Sequence, residues 1–129
     1  MSVPVTARFE LFAHDPAALR DVVERVLRFH VVHAAPSYTE FASGDVRIGV
    51  GSVAGLPSGH PLRPRDAHER MGLGVEIVIE TDDIEEFWQH VQTTGYPIAS
   101  PLSTRSWGLR DFRLVAPGGF YMRITSRAP

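Results

Sequence analysis

The sequence predicts an α+β fold of two tandem βαβββ modules, with curved mixed sheets enclosing a cavity and a helix on the outer face of each. Three observations carry this. The order strand, helix, three strands appears twice, offset by about 68 residues. Both helices open on an acidic capping residue, Asp15 in "HDPAAL" and Asp83 in "DDIEEF". A stretch rich in Gly, Pro and charge, 51–70, separates the copies. The expected organisation is one domain, 1–129, with module one at about 5–55, a linker at about 51–70 and module two at about 71–127.

The elements follow in order. Ala7 to Phe12 reads as a strand. In "HDPAALRDVVERVLRF", Asp15 suits the N-cap and Pro16 the first helical position. Leu19, Val22, Val23, Val26 and Leu27 then recur on one helical face. His30 to Ala34, Tyr38 to Ala42 and Val46 to Val50 are strand-like, with Gly44-Asp45 as a turn. After the linker, "LGVEIVIET" is a strand. "DDIEEFWQHVQTTG" is a helix with Asp83 and Glu86 in capping-box spacing, Gly95 as its C-cap, and Ile84, Phe87, Trp88 and Val91 as its apolar face. Tyr96 to Ala99, Leu109 to Val115 and Phe120 to Thr125 are the last three strands.

Strand alternation assigns faces. Phe9 and Leu11, Ile77 and Ile79, and Met122 and Ile124 pack on helices. Arg8, Glu10, Phe12, Glu76, Val78, Glu80, Tyr121 and Arg123 therefore face away, and their polarity suggests a cavity lining. Tyr38 and Phe41 lie on opposite faces, so one reaches the cavity and one the core. By the same parity, His30 and His33 lie on opposite faces.

Composition narrows the function. Thirteen basic residues stand against fifteen acidic ones, a formal charge of −2, and no basic stripe interleaved with aromatics is present, which argues against a nucleic-acid partner. No run of about 18 apolar residues argues for a membrane span, and no basic-then-apolar segment marks the N-terminus for secretion, so a cytoplasmic protein is expected. There is no cysteine, hence no disulfide, thiolate metal site or cysteine nucleophile. All thirteen basic residues are arginine, so no lysine can form a Schiff base. None of the six histidines shows H-x-H or H-E-x-x-H spacing. Ser103 and Ser106 lack a paired histidine and aspartate.

From about Ala7 to Thr125 the chain resembles the vicinal oxygen chelate superfamily, the group of glyoxalase I, extradiol dioxygenases, fosfomycin-modifying enzymes and bleomycin-resistance proteins. The resemblance rests on "WGLRDFRLVAPGGFYMRIT", on "HDPAAL" and "DDIEEF", and on "TTGYPI". The chain departs from the family's Asp-Pro-Asp-Gly turn with Ala116-Pro117-Gly118-Gly119, where glycine still permits the turn. The resemblance implies that metal-bearing members hold a divalent ion with His, Glu or Gln at positions matching Arg8, about Gly49, Glu76 and Arg123. Only Glu76 offers a ligand: arginine is a permanent cation with no free lone pair, and glycine has no side chain. The bleomycin-resistance branch also lacks the metal set and carries arginine at the position of Arg123. Its members bind a bulky antibiotic without modifying it.

The reading is therefore a metal-independent, cofactor-free binding protein for a small aromatic or apolar molecule, with no metal ligand and no catalytic residue assigned. The candidate ligand-binding residues are Arg8, Tyr38, Phe41, Glu76, Trp107, Tyr121 and Arg123. Trp107 offers an indole face for stacking, or packs in the core or a dimer. Arg8 and Arg123 clamp an anion, or are spent on Glu76, Glu10 and Asp111. The resemblance further implies a homodimer, with modules paired across subunits. Two alternatives stay open: a metal-dependent lyase, isomerase or dioxygenase of the same family, and a cofactor-free enzyme using Glu76 as acid or base.

Overall fold

The computed structural model describes residues 4–128. The chain divides into two compact units, one running up to Glu69 and one from Arg70 onward. No helix among the described residues is long and apolar enough to cross a membrane.

In the first unit β1 (Phe9–Ala13) leads into α1 (Pro16–Asp21), followed by β2 (His30–Ala35), β3 (Tyr38–Ser43) and β4 (Val46–Ser52). The sheet order is β1-β4-β3-β2, with β1 parallel to β4 and the other pairs antiparallel. The second unit repeats it: β5 (Glu76–Thr81), α2 (Ile84–Thr94), β6 (Ser100–Thr104), β7 (Arg110–Ala116) and β8 (Phe120–Ser126), in the order β5-β8-β7-β6 with β5 parallel to β8. Two mixed four-stranded sheets of identical topology are the duplication read from the sequence.

The capping chemistry sets both helix starts. The Asp15 carboxylate accepts from the Ala18 amide at 3.1 Å, and that of Asp83 from the Glu86 amide at 3.1 Å. Gly95 ends α2 at φ 73°, the left-handed conformation a C-cap glycine supplies. Beyond Asp21 the first helix departs from expectation and widens into a π-helical turn, Val22–Val26. Its apolar stripe is kept, since Leu19, Val22, Val23, Val26 and Leu27 are all at most 2% exposed.

The second unit's first antiparallel strand lies at Ser100–Thr104, not at Tyr96 to Ala99. Pro97 has no amide to donate, and the Tyr96 hydroxyl instead donates to the Val115 carbonyl at 2.6 Å. Pro101 is tolerated because β6 is an edge strand with a register irregularity between Ser100 and Ser103. The glycine pair of the β7–β8 turn behaves as expected: Gly118 and Gly119 take φ 98° and 103°, and the Gly119 amide closes the turn on the Ala116 carbonyl at 2.9 Å.

Each core lies between a sheet and its own helix. Phe41, Ile48 and Val50 meet the helical stripe in the first unit, and Phe112, Leu114, Met122, Ile124 and Val91 fill the second, all fully buried. Phe112 anchors the second core, with ring centroids 6.0 Å from Phe87 and 5.1 Å from Trp88.

Candidate functional site

The faces turned away from the helices carry the polar chemistry. In the first unit the register aligns Glu10 with Gly49 and Gly49 with Glu40, and Phe12 with Gly51 and Gly51 with Tyr38. One face therefore holds Arg8, Glu10, Phe12, Tyr38, Glu40 and Arg47. Arg8 pairs with Glu10 and donates to Glu40 at 2.9 Å, and the Tyr38 hydroxyl donates to Glu10 at 2.7 Å. Partial burial and the Glu10 carboxylate push the Tyr38 phenol up to about 12. The hydrogen bond and charge of Glu10 raise the Arg8 guanidinium further above its ordinary value.

Gly49 lies beneath this pair. A Cβ there would meet the Tyr38 hydroxyl and the Glu10 carboxylate, whose Cδ would lie 2.8 Å away. The volume a side chain would take at residue 49 is filled by the Tyr38–Glu10 hydrogen bond. The duplication confirms the equivalence of this position: Gly49 pairs with Glu10 on the first strand of its unit, and Arg123 pairs with the corresponding Val78.

In the second unit Glu76 aligns with Tyr121, Val78 with Arg123, and Arg123 with Arg113. Arg123 Nη2 lies 3.1 Å from Glu76 Oε1. Asp111, fully buried on the same face, accepts from Arg105 Nε at 2.8 Å and from Arg113 Nε at 3.3 Å. Burial alone would raise the Asp111 carboxyl; the hydrogen bonds and charges of the two arginines outweigh it and hold it below its ordinary value. Arg113 Nη1 also donates to the Tyr121 hydroxyl at 3.3 Å. Trp107, in the β6–β7 turn, is 54% exposed and so is not a core residue. Gly108 shapes that turn at φ 91°, its amide donating to the Arg105 carbonyl at 3.0 Å.

Of the seven candidates, Arg8 and Tyr38 thus share one network in the first unit, and Glu76, Tyr121 and Arg123 share one face in the second. Phe41 does not join them. It is fully buried against the helical stripe, opposite Ile48, because strand parity places it on the face Tyr38 avoids. The two histidines also need correction. A bulge between Val31 and His33 places His30 opposite Ala42 and His33 opposite Glu40, so both fall on the polar face. Sequence reasoning did not single out Glu40, Arg47, Arg105 or Arg113. For Arg113 the signal was present, since a tight turn at 117–119 sets it opposite Arg123. Arg105 lies in a loop, and nothing local announces its partner.

The sequence profile of the Glyoxalase/Bleomycin resistance protein/Dioxygenase superfamily matches residues 6–124, and the chain belongs to that superfamily. No curated protein matches it in sequence. Among solved structures it is similar to TioX from Micromonospora sp. ML1, with a TM-score of 0.76 and 20% identity over 97% of this chain and 100% of that one. A bleomycin resistance determinant encoded on the transposon Tn5 gives 0.70 and 19% identity, covering 98% of this chain and 100% of the other. Lactoylglutathione lyase from Agrobacterium tumefaciens gives 0.70 and 15% identity over 97% and 94%. These likenesses establish the fold, and they span a bleomycin resistance determinant and a lactoylglutathione lyase alike.

The four positions that the family resemblance marks for a metal do not suit one in this chain. Arg8 and Arg123 are cations, each engaged by a carboxylate, and the space at Gly49 is taken by Tyr38 and Glu10. Glu76, the remaining donor, is in contact with Arg123. Among the described residues, no three His, Cys, Asp or Glu side chains are grouped so as to hold a metal ion.

Proposed function

We propose that this protein binds a small, largely aromatic or apolar molecule without a metal, and that sequestration of an antibiotic or secondary metabolite is its role. The observation that carries the reading is the Arg123–Glu76 ion pair on strand positions where metal-bearing relatives place ligands. A guanidinium repels a dication and occupies the one carboxylate among those four positions. Polar faces rich in paired charges fix polar groups of a ligand, and Trp107, with more than half its surface exposed, offers a flat apolar contact. In this role the protein is a cytoplasmic homodimer with modules paired across subunits.

The test uses the neutral fluorophore N-phenyl-1-naphthylamine with chelator present. Saturable binding is expected, and Trp107→Ala should weaken it by about tenfold, the order of one good aromatic contact. Because Trp107 is exposed, its loss should leave the thermal midpoint within about 2 °C of the parent, a surface-substitution effect. Unchanged affinity in Trp107→Ala would remove the stacking role, and absence of any saturable binding would overturn the reading.

A further inference from the structure

We propose that the polar face of the second-unit sheet takes a ligand oxyanion (carboxylate, sulfonate or phosphonate), and that Glu76 is the internal anion the ligand displaces from Arg123. This rests on the ligand-binding reading above and names the charge of the ligand that fits it.

Arg113 and Arg123 stand directly opposite on β7 and β8. Like charges in that relation are destabilising unless each has its own counter-charge. Arg113 has a permanent one. All three of its nitrogens are engaged, Nε and Nη2 with Asp111 and Nη1 with Tyr121. Asp111 is fully buried, shared with Arg105, and has no room to leave.

Arg123 is provided for differently. Its closest approach to Glu76 is Nη2 to Oε1 at 3.1 Å, longer than the usual 2.7–2.9 Å or so of a charge-assisted bond. Its Nε is buried and has no hydrogen-bond partner. An unsatisfied buried donor is costly, so this guanidinium gains from any acceptor that engages it more fully than Glu76 does. Glu76 is on the edge strand β5, with its side chain 36% exposed, free to swing into water when displaced. Glu80, the third carboxylate on this face beside Glu76 and Asp111, aligns with Thr125 rather than with Arg123 and does not take Glu76's place. One arginine is thus locked to a buried aspartate, while its neighbour is held loosely by a carboxylate at an exposed edge. Two oxygens of a carboxylate, sulfonate or phosphonate match the freed guanidinium fork.

The experiment compares two probes on one scaffold: 8-anilino-1-naphthalenesulfonate, which carries an oxyanion, and neutral N-phenyl-1-naphthylamine. The parent protein should bind the sulfonate about tenfold more tightly. Arg123→Met should abolish that preference while leaving the neutral probe within about twofold. Glu76→Gln removes the competing carboxylate without removing volume. It should tighten the sulfonate about three- to tenfold and leave the neutral probe unchanged. Because Glu76 is at an exposed edge, this variant keeps the test decisive even if Arg123→Met folds poorly. Equal shifts for both probes, or a looser sulfonate in Glu76→Gln, would overturn the proposal. Binding of both probes without preference would sink the oxyanion site and leave the ligand-binding reading standing; binding of neither would sink both.

Discussion

Asp111→Asn should destabilise the protein by about 3–5 kcal/mol at neutral pH, the cost of removing one partner from a buried ion cluster. The substitution keeps the shape and removes the charge that Arg105 and Arg113 share. The asparagine amide would also present donors to guanidinium groups that are donors themselves. The effect must depend on pH in a fixed direction. The folded-state carboxyl of Asp111 titrates below its unfolded value of 3.8. Its contribution is therefore fully present above that value and is lost as pH falls through the lowered one. Urea denaturation of parent and variant should give a gap that is constant from neutral pH down to about 5 and closes under acid. A gap below about 1 kcal/mol, or one that persists unchanged into acid, contradicts the assignment of Asp111 as the anchor of this face.

Gly49→Ala should cost about 1–2 kcal/mol, the range of a lost hydrogen bond to a charged group. The new Cβ meets only the ends of two movable side chains, so the sheet itself survives. What gives way is the bond from the Tyr38 hydroxyl to Glu10. In the parent the phenol is raised from 10.0 to about 12. The protonated form is thus favoured by folding, a contribution present below about pH 10 and lost between 10 and 12. In Gly49→Ala the ultraviolet titration should move this tyrosine back toward 10 and flatten the alkaline loss of stability. Tyr38→Phe should flatten it too. An unmoved titration in Gly49→Ala would show that the space at residue 49 is not what the Tyr38–Glu10 pair fills.

Where the sequence carried local signals, its reading held. Helix caps at Asp15 and Asp83 pinned the strands before them, and the Pro-Gly-Gly turn pinned β8, so the facing of Arg8, Glu76 and Arg123 followed from alternation alone. The shared element order of the two units came from the repeat. Bulges were not legible. The one in β2 turned His33 onto the face of His30, and the irregularity in β6 accompanied the strand's displacement past Pro97. A bulge is a choice between pairings that cost nearly the same locally, settled by the partner strand. The π-helical turn at Val22–Val26 kept the buried stripe intact and therefore left no trace in the apolar pattern. The Arg105–Asp111–Arg113 cluster depends on a loop folding back onto β7, and no spacing rule encodes that.

Arg123 and Glu76 pair with each other on strand positions where metal-bearing relatives place ligands. The most direct measurement is metal content per chain after purification without chelator, repeated after incubation with nickel, zinc, iron and manganese. The account predicts far less than one equivalent in every case, with N-phenyl-1-naphthylamine affinity unaltered by the metals. Close to one equivalent of a divalent ion per chain, lost in Glu76→Gln, would contradict it and make the chain a metal-dependent member of its superfamily.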